Sequence, residues 1–321
     1  MVKIIFHTSQ IDVRGTNNAV YYYAHYNETL LGNKSIITIP ESSINQKRND
    51  QIALEKFLQR FSIYIYENKE QLQKFIDDEK YDILYDIKYG KNDNFIFKNI
   101  KNCIHCVFDM TEEHGDIYAG VSEQIARKFG KTLFVPHMIG LDPSKIQENF
   151  REELGIPEDA IVFGRHGGQD TFNIGFCMET ISKVVNDFNN IYFVFVNTPK
   201  FFQHPNIFYL DKIIKDDEKN KFISTCDAGL ECGSLGHTFG LAIGEFSVNN
   251  KINIVYGGYT WNTAHKDILG NNALYFTNQD EFYNILTTFD KKLYINRDLN
   301  CYKEYTPEKI MKIFKEVFID N

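Results

Sequence analysis

The sequence predicts an α/β protein of two doubly wound domains, each a parallel sheet covered by helices, facing each other across a cleft. Three observations predict it. Short apolar runs alternate with amphipathic stretches along the whole chain, the pattern of strands buried on both faces and joined by crossover helices. The alternation stops once, at the turn-rich Pro136-His137-Met138-Ile139-Gly140-Leu141-Asp142-Pro143, and then restarts. The length, 321 residues, suffices for two complete cores. Two similar halves joined at such a hinge place the ligand cleft between them.

Taken in order, Val2–Phe6 is the first strand, and the start is too short for a signal peptide. The polar loop Arg14-Gly15-Thr16-Asn17-Asn18 opens a helix from about Ala19 to Leu31. Runs rich in β-branched and aromatic residues predict strands at Ser35–Ile39, Phe61–Tyr66, Ile83–Ile87 and Cys103–Phe108, with helices over Gln51–Leu58 and Lys69–Asp78. Ile117–Val121 leads into Ser122, whose hydroxyl suits the N-cap of a helix beginning at Glu123. Leu133–Val135 closes this half. Beyond the hinge come a strand at Ala160–Phe163, a helix at Gly175–Asp187, strands at Ile191–Val196 and Ile207–Leu210, and a helix at Asp216–Ser224. A short apolar run through Ala228 and Leu230 precedes a helix at Leu241–Ser247, a strand at Ile252–Tyr256 and a terminal helical region. Thr306-Pro307-Glu308 starts the last helix, with Pro where its missing N–H costs nothing.

Composition excludes several classes. Hydrophobic residues make up 43% and charged residues 24%, an ordinary globular balance. A net charge of −8 argues against a sequence-independent nucleic-acid binder, which needs a basic surface. No apolar run is long enough to cross a bilayer, so a cytoplasmic location is expected. Cys103-Ile104-His105-Cys106 is a lone CxxC inside an apolar run, with no second pair to complete a zinc site; buried reduced thiols are expected. The loop after the first strand lacks Gly-x-Gly-x-x-Gly, which disfavours a nicotinamide-dependent enzyme.

The chemistry concentrates in Ser234-Leu235-Gly236-His237-Thr238-Phe239-Gly240-Leu241-Ala242-Ile243-Gly244-Glu245. A Gly-rich turn directly before a helix exposes backbone N–H groups at the helix's positive end, a seat for phosphate. Glu245, in the early turns of that helix, places a carboxylate where sugar hydroxyls can donate to it. A second Gly-rich turn, Gly164-Arg165-His166-Gly167-Gly168, follows a strand and offers a guanidinium whose planar fork matches phosphate oxygens.

The spacing His237-x7-Glu245 resembles the Glu-x7-Glu signature of retaining GT-B glycosyltransferases of the family 4-like group, with His in the first place. Val135–Asp142 and Arg151–Pro157 are similar to the segments that close the first domain and follow it in that group. The resemblance implies two Rossmann-like domains, an acceptor-side one over 1–142 and a nucleotide-sugar-binding one over 143–306, with the helix at 307–321 packing back on the first. It implies that Arg165 and Gly164 meet the donor diphosphate, that Gly236, Thr238, Phe239, Gly240 and Leu241 supply backbone N–H groups to it, and that Glu245 binds the ribose. His237 would face the sugar or the phosphate, and Gly15 and Thr16 would lie beside the donor and acceptor. His105 is the candidate in the first half for polarising a reactant, with Asp109 and His114 as alternatives. The Lys expected shortly after Arg165 is missing: either Gln169, Asn173 or loop N–H groups substitute for it, or phosphate binding is weakened.

The implied reaction is transfer of a sugar from a nucleotide-diphosphate sugar to a sugar, glycan or lipid-linked acceptor, with retention. It needs no obligatory cofactor or metal, and the acceptor class allows peripheral membrane contact. No Asp-x-Asp lies near these motifs, and Asp216-Asp217 reads as helix surface. The alternative is a GT-B protein that binds a nucleotide sugar without turnover, or acts as an epimerase or phosphorylase.

Overall fold

The computed structural model describes residues 1–145 and 148–321. They form two units, Met1–Gly140 with Tyr305–Asn321, and Leu141–Glu304. The first contains β1 (Lys3–His7), α1 (Gly15–Thr29), β2 (Lys34–Pro40), α2 (Glu41–Asn45), α3 (Gln51–Arg60), β3 (Ile63–Tyr66), α4 (Lys69–Glu79), β4 (Ile83–Lys88), β5 (Lys101–Cys106), β6 (Ile117–Gly120) and α5 (Glu123–Lys128). The second contains α6 (Arg151–Leu154), β7 (Ile161–Arg165), α7 (Gly175–Asp187), β8 (Ile191–Val196), β9 (Ile207–Leu210), α8 (Asp216–Thr225), β10 (Ala228–Glu231), α9 (Leu241–Val248), β11 (Ile252–Tyr256), α10 (Ala264–Leu269), β12 (Ala273–Phe276) and α11 (Gln279–Thr288). α12 (Pro307–Phe314) returns to the first unit.

Each unit is built on one six-stranded sheet, ordered β3-β2-β1-β4-β5-β6 and β12-β11-β10-β7-β8-β9, with all pairings parallel. The strand order therefore reverses between β1 and β4, and again between β7 and β10, and ligands of such sheets lie outside the strand ends at those reversals. The central strands are apolar on both faces: Ile4, Ile5, Phe6, Leu84, Tyr85 and Ile104 in one sheet, Val162, Phe163, Phe193, Val194, Ile254 and Val255 in the other, are all fully buried. Burying each such side chain contributes about 1.5–3 kcal/mol.

Local chemistry sets the helix starts. Asp50 accepts from Ile52 N and Ala53 N, Asn68 from Gln71 N, Ser122 from Ile125 N, and Asn278 from Glu281 N. Thr306 occupies the N-cap of α12 but its hydroxyl makes no capping bond; Pro307 sets that start instead. α12 carries Phe314 onto Phe6, Tyr23 and Tyr85, and beyond it Phe318 meets Tyr85 and His105.

The structure departs from the sequence reading at three places. α1 begins at Gly15, four residues before the expected Ala19, so Gly15 and Thr16 form its first turn. Leu133–Val135 makes only a single bridge, Gly120 to Phe134. The expected terminal helical region holds α10, β12 and α11, with β12 pairing with β11 through Asn253–Tyr256.

Candidate functional site

In the second unit, the loops at the β7–β10 reversal bring most of the predicted residues together. Gly240 is the N-cap of α9 at φ +90°, a conformation that favours glycine, and it supplies no side-chain cap to the first N–H groups of this helix. Gly236 sits at φ +67°, where a Cβ would lie 2.5 Å from Asn262 O. That contact seats the β10–α9 loop against the β11–α10 loop, and His237 N donates to the same Asn262 O at 2.7 Å. Thr238 and Phe239 are buried, the Phe239 ring edge-on to Tyr302, whose hydroxyl donates to Phe239 O at 2.9 Å. Leu241 is the first residue of α9.

Glu245 is buried one turn into α9, with Lys219 Nζ of α8 at 2.6 Å and His166 Nε2 at 3.2 Å. The His166 contact is at ion-pair distance but too poorly aligned to be a hydrogen bond. Burial holds His166 well below the usual histidine range, and the neighbouring Lys219 and Arg165 charges add to this, so its ring is neutral. Burial would lower Lys219, but Glu245 outweighs it and keeps the ammonium charged. Among the described residues, the buried Lys219 ammonium is thus the cation set against Glu245.

His237 Nε2 lies 3.1 Å from Glu231 Oε1, again off the line of a hydrogen bond. Burial works to raise Glu231, but His237, Arg165 and the Gly233 N–H outweigh it and hold the carboxyl at about 2. His265 stands perpendicular to the His237 ring, centroids 5.2 Å apart, and burial pushes it down to about 3. Its Nε2 and the Tyr259 hydroxyl are buried without a hydrogen-bond partner, as polar groups awaiting a ligand are.

Arg165 differs from expectation. Its side chain is 1% exposed, with one guanidinium nitrogen 2.6 Å from Thr198 Oγ1 and the other donating to Gly168 O at 2.6 Å and to Thr171 Oγ1. The fork ties the β7–α7 loop to the end of β8 rather than standing open for phosphate. Gly164 is likewise a packing residue: a Cβ there would lie 2.2 Å from Cys226 Sγ. Asn173 braces the two loops, accepting from Ser234 N at 2.8 Å and donating to Asp170 O at 3.1 Å, while Gln169 is exposed.

In the first unit, Gly15 and Thr16 open α1 behind an N-cap, Arg14, that makes no side-chain capping bond. His105 lies in the core at 0% exposure, its Nδ1 2.6 Å from Tyr85 Oη and its Nε2 2.8 Å from Val135 O. With both nitrogens engaged and no surface, His105 has no face open to a reactant, contrary to the expected polarising role. Asp109 turns back onto Thr111 N, and His114 Nδ1 onto Glu112 O. Cys103 and Cys106 are free and buried, which raises both thiols to about 12.

Sequence reasoning missed Glu231, Lys219 and His166. It also missed a buried network at the β1–β4 reversal, where His7 bonds Asp86 Oδ1 at 3.0 Å and Tyr66 Oη at 2.9 Å, and Lys88 lies 3.0 Å from Asp86 Oδ2. Only a polar residue ending an apolar strand signals these positions.

Burial pushes His105 down to about 4 and His137 to about 3. Both are neutral when folded, whereas the unfolded chain takes up their protons near pH 6.5. Between pH 6.5 and 4 the unfolded state binds more protons, so this stability is complete above 6.5 and is lost as pH falls toward 4. Melting curves from pH 7 to 4.5 should show that decline. His105→Phe should flatten it, and an unchanged slope would contradict the assignment.

Among the described residues no cluster of His, Cys, Asp or Glu is arranged to hold a metal, and no helix is long and apolar enough to cross a membrane. No protein-family model matches the chain, and no curated protein matches its sequence. Solved structures do match. HepE of Anabaena in complex with UDP and glucose is 12% identical, with 100% of both chains covered and a TM-score of 0.76. A glycosyltransferase of Rickettsia africae is 12% identical over 100% of this chain and 99% of its own, at 0.71. Sucrose-phosphate synthase of Thermosynechococcus elongatus is 12% identical over 99% and 96%, at 0.64. At such identity the likeness establishes architecture, and the architecture is plain: two six-stranded, Rossmann-like domains make this chain a GT-B fold.

Proposed function

We propose that the protein is a glycosyltransferase that takes a sugar from a nucleotide-diphosphate sugar and passes it to an acceptor with retention of configuration, as in the family 4-like group. The second unit is the donor side and the first the acceptor side. The observation that carries this is the uncapped α9 N-terminus behind Gly240, with Glu245 buried one turn further on. The N–H groups suit a diphosphate and the carboxylate suits a ribose. HepE, bound to UDP in its crystals, supports a uridine nucleotide as the first ligand to try. His237 is the residue nearest the reacting phosphate or sugar; Arg165 contributes its field rather than direct bonds.

A thermal-shift panel of UDP, GDP, ADP, TDP and CMP tests the reading. One nucleotide should stabilise the protein by about 2.7 kcal/mol at a hundred times its Kd. Trp261, the single tryptophan, is 65% exposed in the β11–α10 loop beside Gly236. Its emission should therefore change on titration with the same nucleotide. No shift with any of them at millimolar concentration would defeat the proposal. The enclosure of Arg165 favours a second reading, nucleotide-sugar binding without turnover, which predicts the same shift but no product with any acceptor.

A further inference from the structure

Position 237 holds His where the Glu-x7-Glu signature has a carboxylate, yet a carboxylate is present. Glu231 ends β10, a central strand whose preceding residues, Ala228, Gly229 and Leu230, are apolar and buried. Nothing in the packing of that strand calls for an acid. Its Oε1 accepts from Gly233 N at 2.9 Å and lies 3.1 Å from His237 Nε2. Gly233 has no room for a side chain: a Cβ would lie 2.5 Å from Thr171 O and 2.9 Å from that same Oε1. The His237 backbone is fixed by Asn262 O and by its bridge to Thr263. The Glu231 side chain is 7% exposed and meets the buried Nε2, whereas the His237 side chain as a whole is 24% exposed, so the rest of the imidazole is the part open to a ligand.

We propose that Glu231 is a positioning residue that holds His237 as an imidazolium directed at a phosphate of the bound nucleoside diphosphate. This rests on the donor-site reading above. A cation backed by a buried acid thus replaces the bare carboxylate of the signature, and neither residue forms or breaks a bond. The groups facing His237 are Glu231 from β10, Arg165 from β7 and His265 from α10. Burial and Arg165 favour the neutral ring; Glu231 outweighs both and raises it, and His265 is neutral and does not oppose it.

Two measurements test the proposal. In ¹⁵N-histidine NMR of the full chain, His237 should titrate above the ordinary value of about 6.5, and Glu231→Gln should bring it down. From pH 7 up to that titration UDP affinity should be level, and it should fall about tenfold as pH rises through it, one charge-assisted bond being lost. Above pH 7 the nucleotide's own phosphate, with a second ionisation at about 6, does not contribute. Glu231→Gln should move the limb to lower pH, Glu231→Asp should restore part of it, and His237→Gln should abolish it. A merely structural Glu231 would change melting temperature and leave the limb in place. A His237 that titrates at or below 6.5, or a limb unmoved by Glu231→Gln, overturns the proposal. UDP failing to bind while His237 titrates as expected overturns the donor reading and leaves the pair standing.

Discussion

Arg165→Ala should unfold the second unit at a melting temperature lower by on the order of 10 °C. The guanidinium is enclosed, and its loss removes its bonds to Thr198 Oγ1, Thr171 Oγ1 and Gly168 O, which keep only the Thr171 Oγ1–Gly168 O and Thr198 Oγ1–Val196 O bonds. It also removes the positive charge whose field helps keep Glu231 ionised. Losing two or more hydrogen bonds from a charged group, at about 1.5–3 kcal/mol each, costs about 3–6 kcal/mol. For a unit of this size each kcal/mol lowers the melting temperature by about 2–4 °C. Arg165→Lys keeps the charge but not the fork, and should fall between. Calorimetry on both variants decides it. A loss under about 1 kcal/mol for Arg165→Ala would mean that the loops hold themselves, and that the arginine is free to serve a ligand.

The second large effect is at Glu245. Glu245→Gln takes the nearest carboxylate from buried Lys219 and leaves it only the field of Asp216, and should cost about 3–5 kcal/mol. It should also weaken nucleotide binding by about tenfold to a hundredfold, since a charged acceptor to the ribose hydroxyls is worth about 1.5–3 kcal/mol. The double variant Glu245→Gln with Lys219→Met separates the two roles. Removing both charges should recover most of the stability. If Glu245 contacts the ribose, affinity stays low in the double variant. If it only balances Lys219, affinity returns with the fold. Thermal unfolding with and without UDP reads both quantities in one set of experiments.

The architecture was legible because parallel strands covered on both sides must be apolar throughout, and runs such as Ile191–Val196 can be little else. β12 is hard to read because Ala273–Phe276 is only four residues long, and the Gly270-Asn271-Asn272 turn before it would equally end a helix. The start of α1 was misplaced since Gly15 is a poor helix former, and only the helix N-terminus tolerates it. In the site, the Gly-rich loop before α9 was visible because backbone geometry demands Gly236 and Gly240. The partners were not. Lys219 reaches Glu245 across 26 residues from within a charged helix, and one-dimensional spacing cannot tell it from its exposed neighbours. The enclosure of His105 is illegible for the same reason: a strand position says which face a side chain takes, but Tyr85 and Val135 close over it through tertiary packing alone.

The return of α12 has a consequence for biosynthesis. Phe314 seals Phe6, Tyr23 and Tyr85, residues that leave the ribosome long before it does. All of Leu141–Glu304 is translated in between. The first unit is therefore completed only after the second has been made, and its aromatic interior stays open to chaperones until α12 emerges.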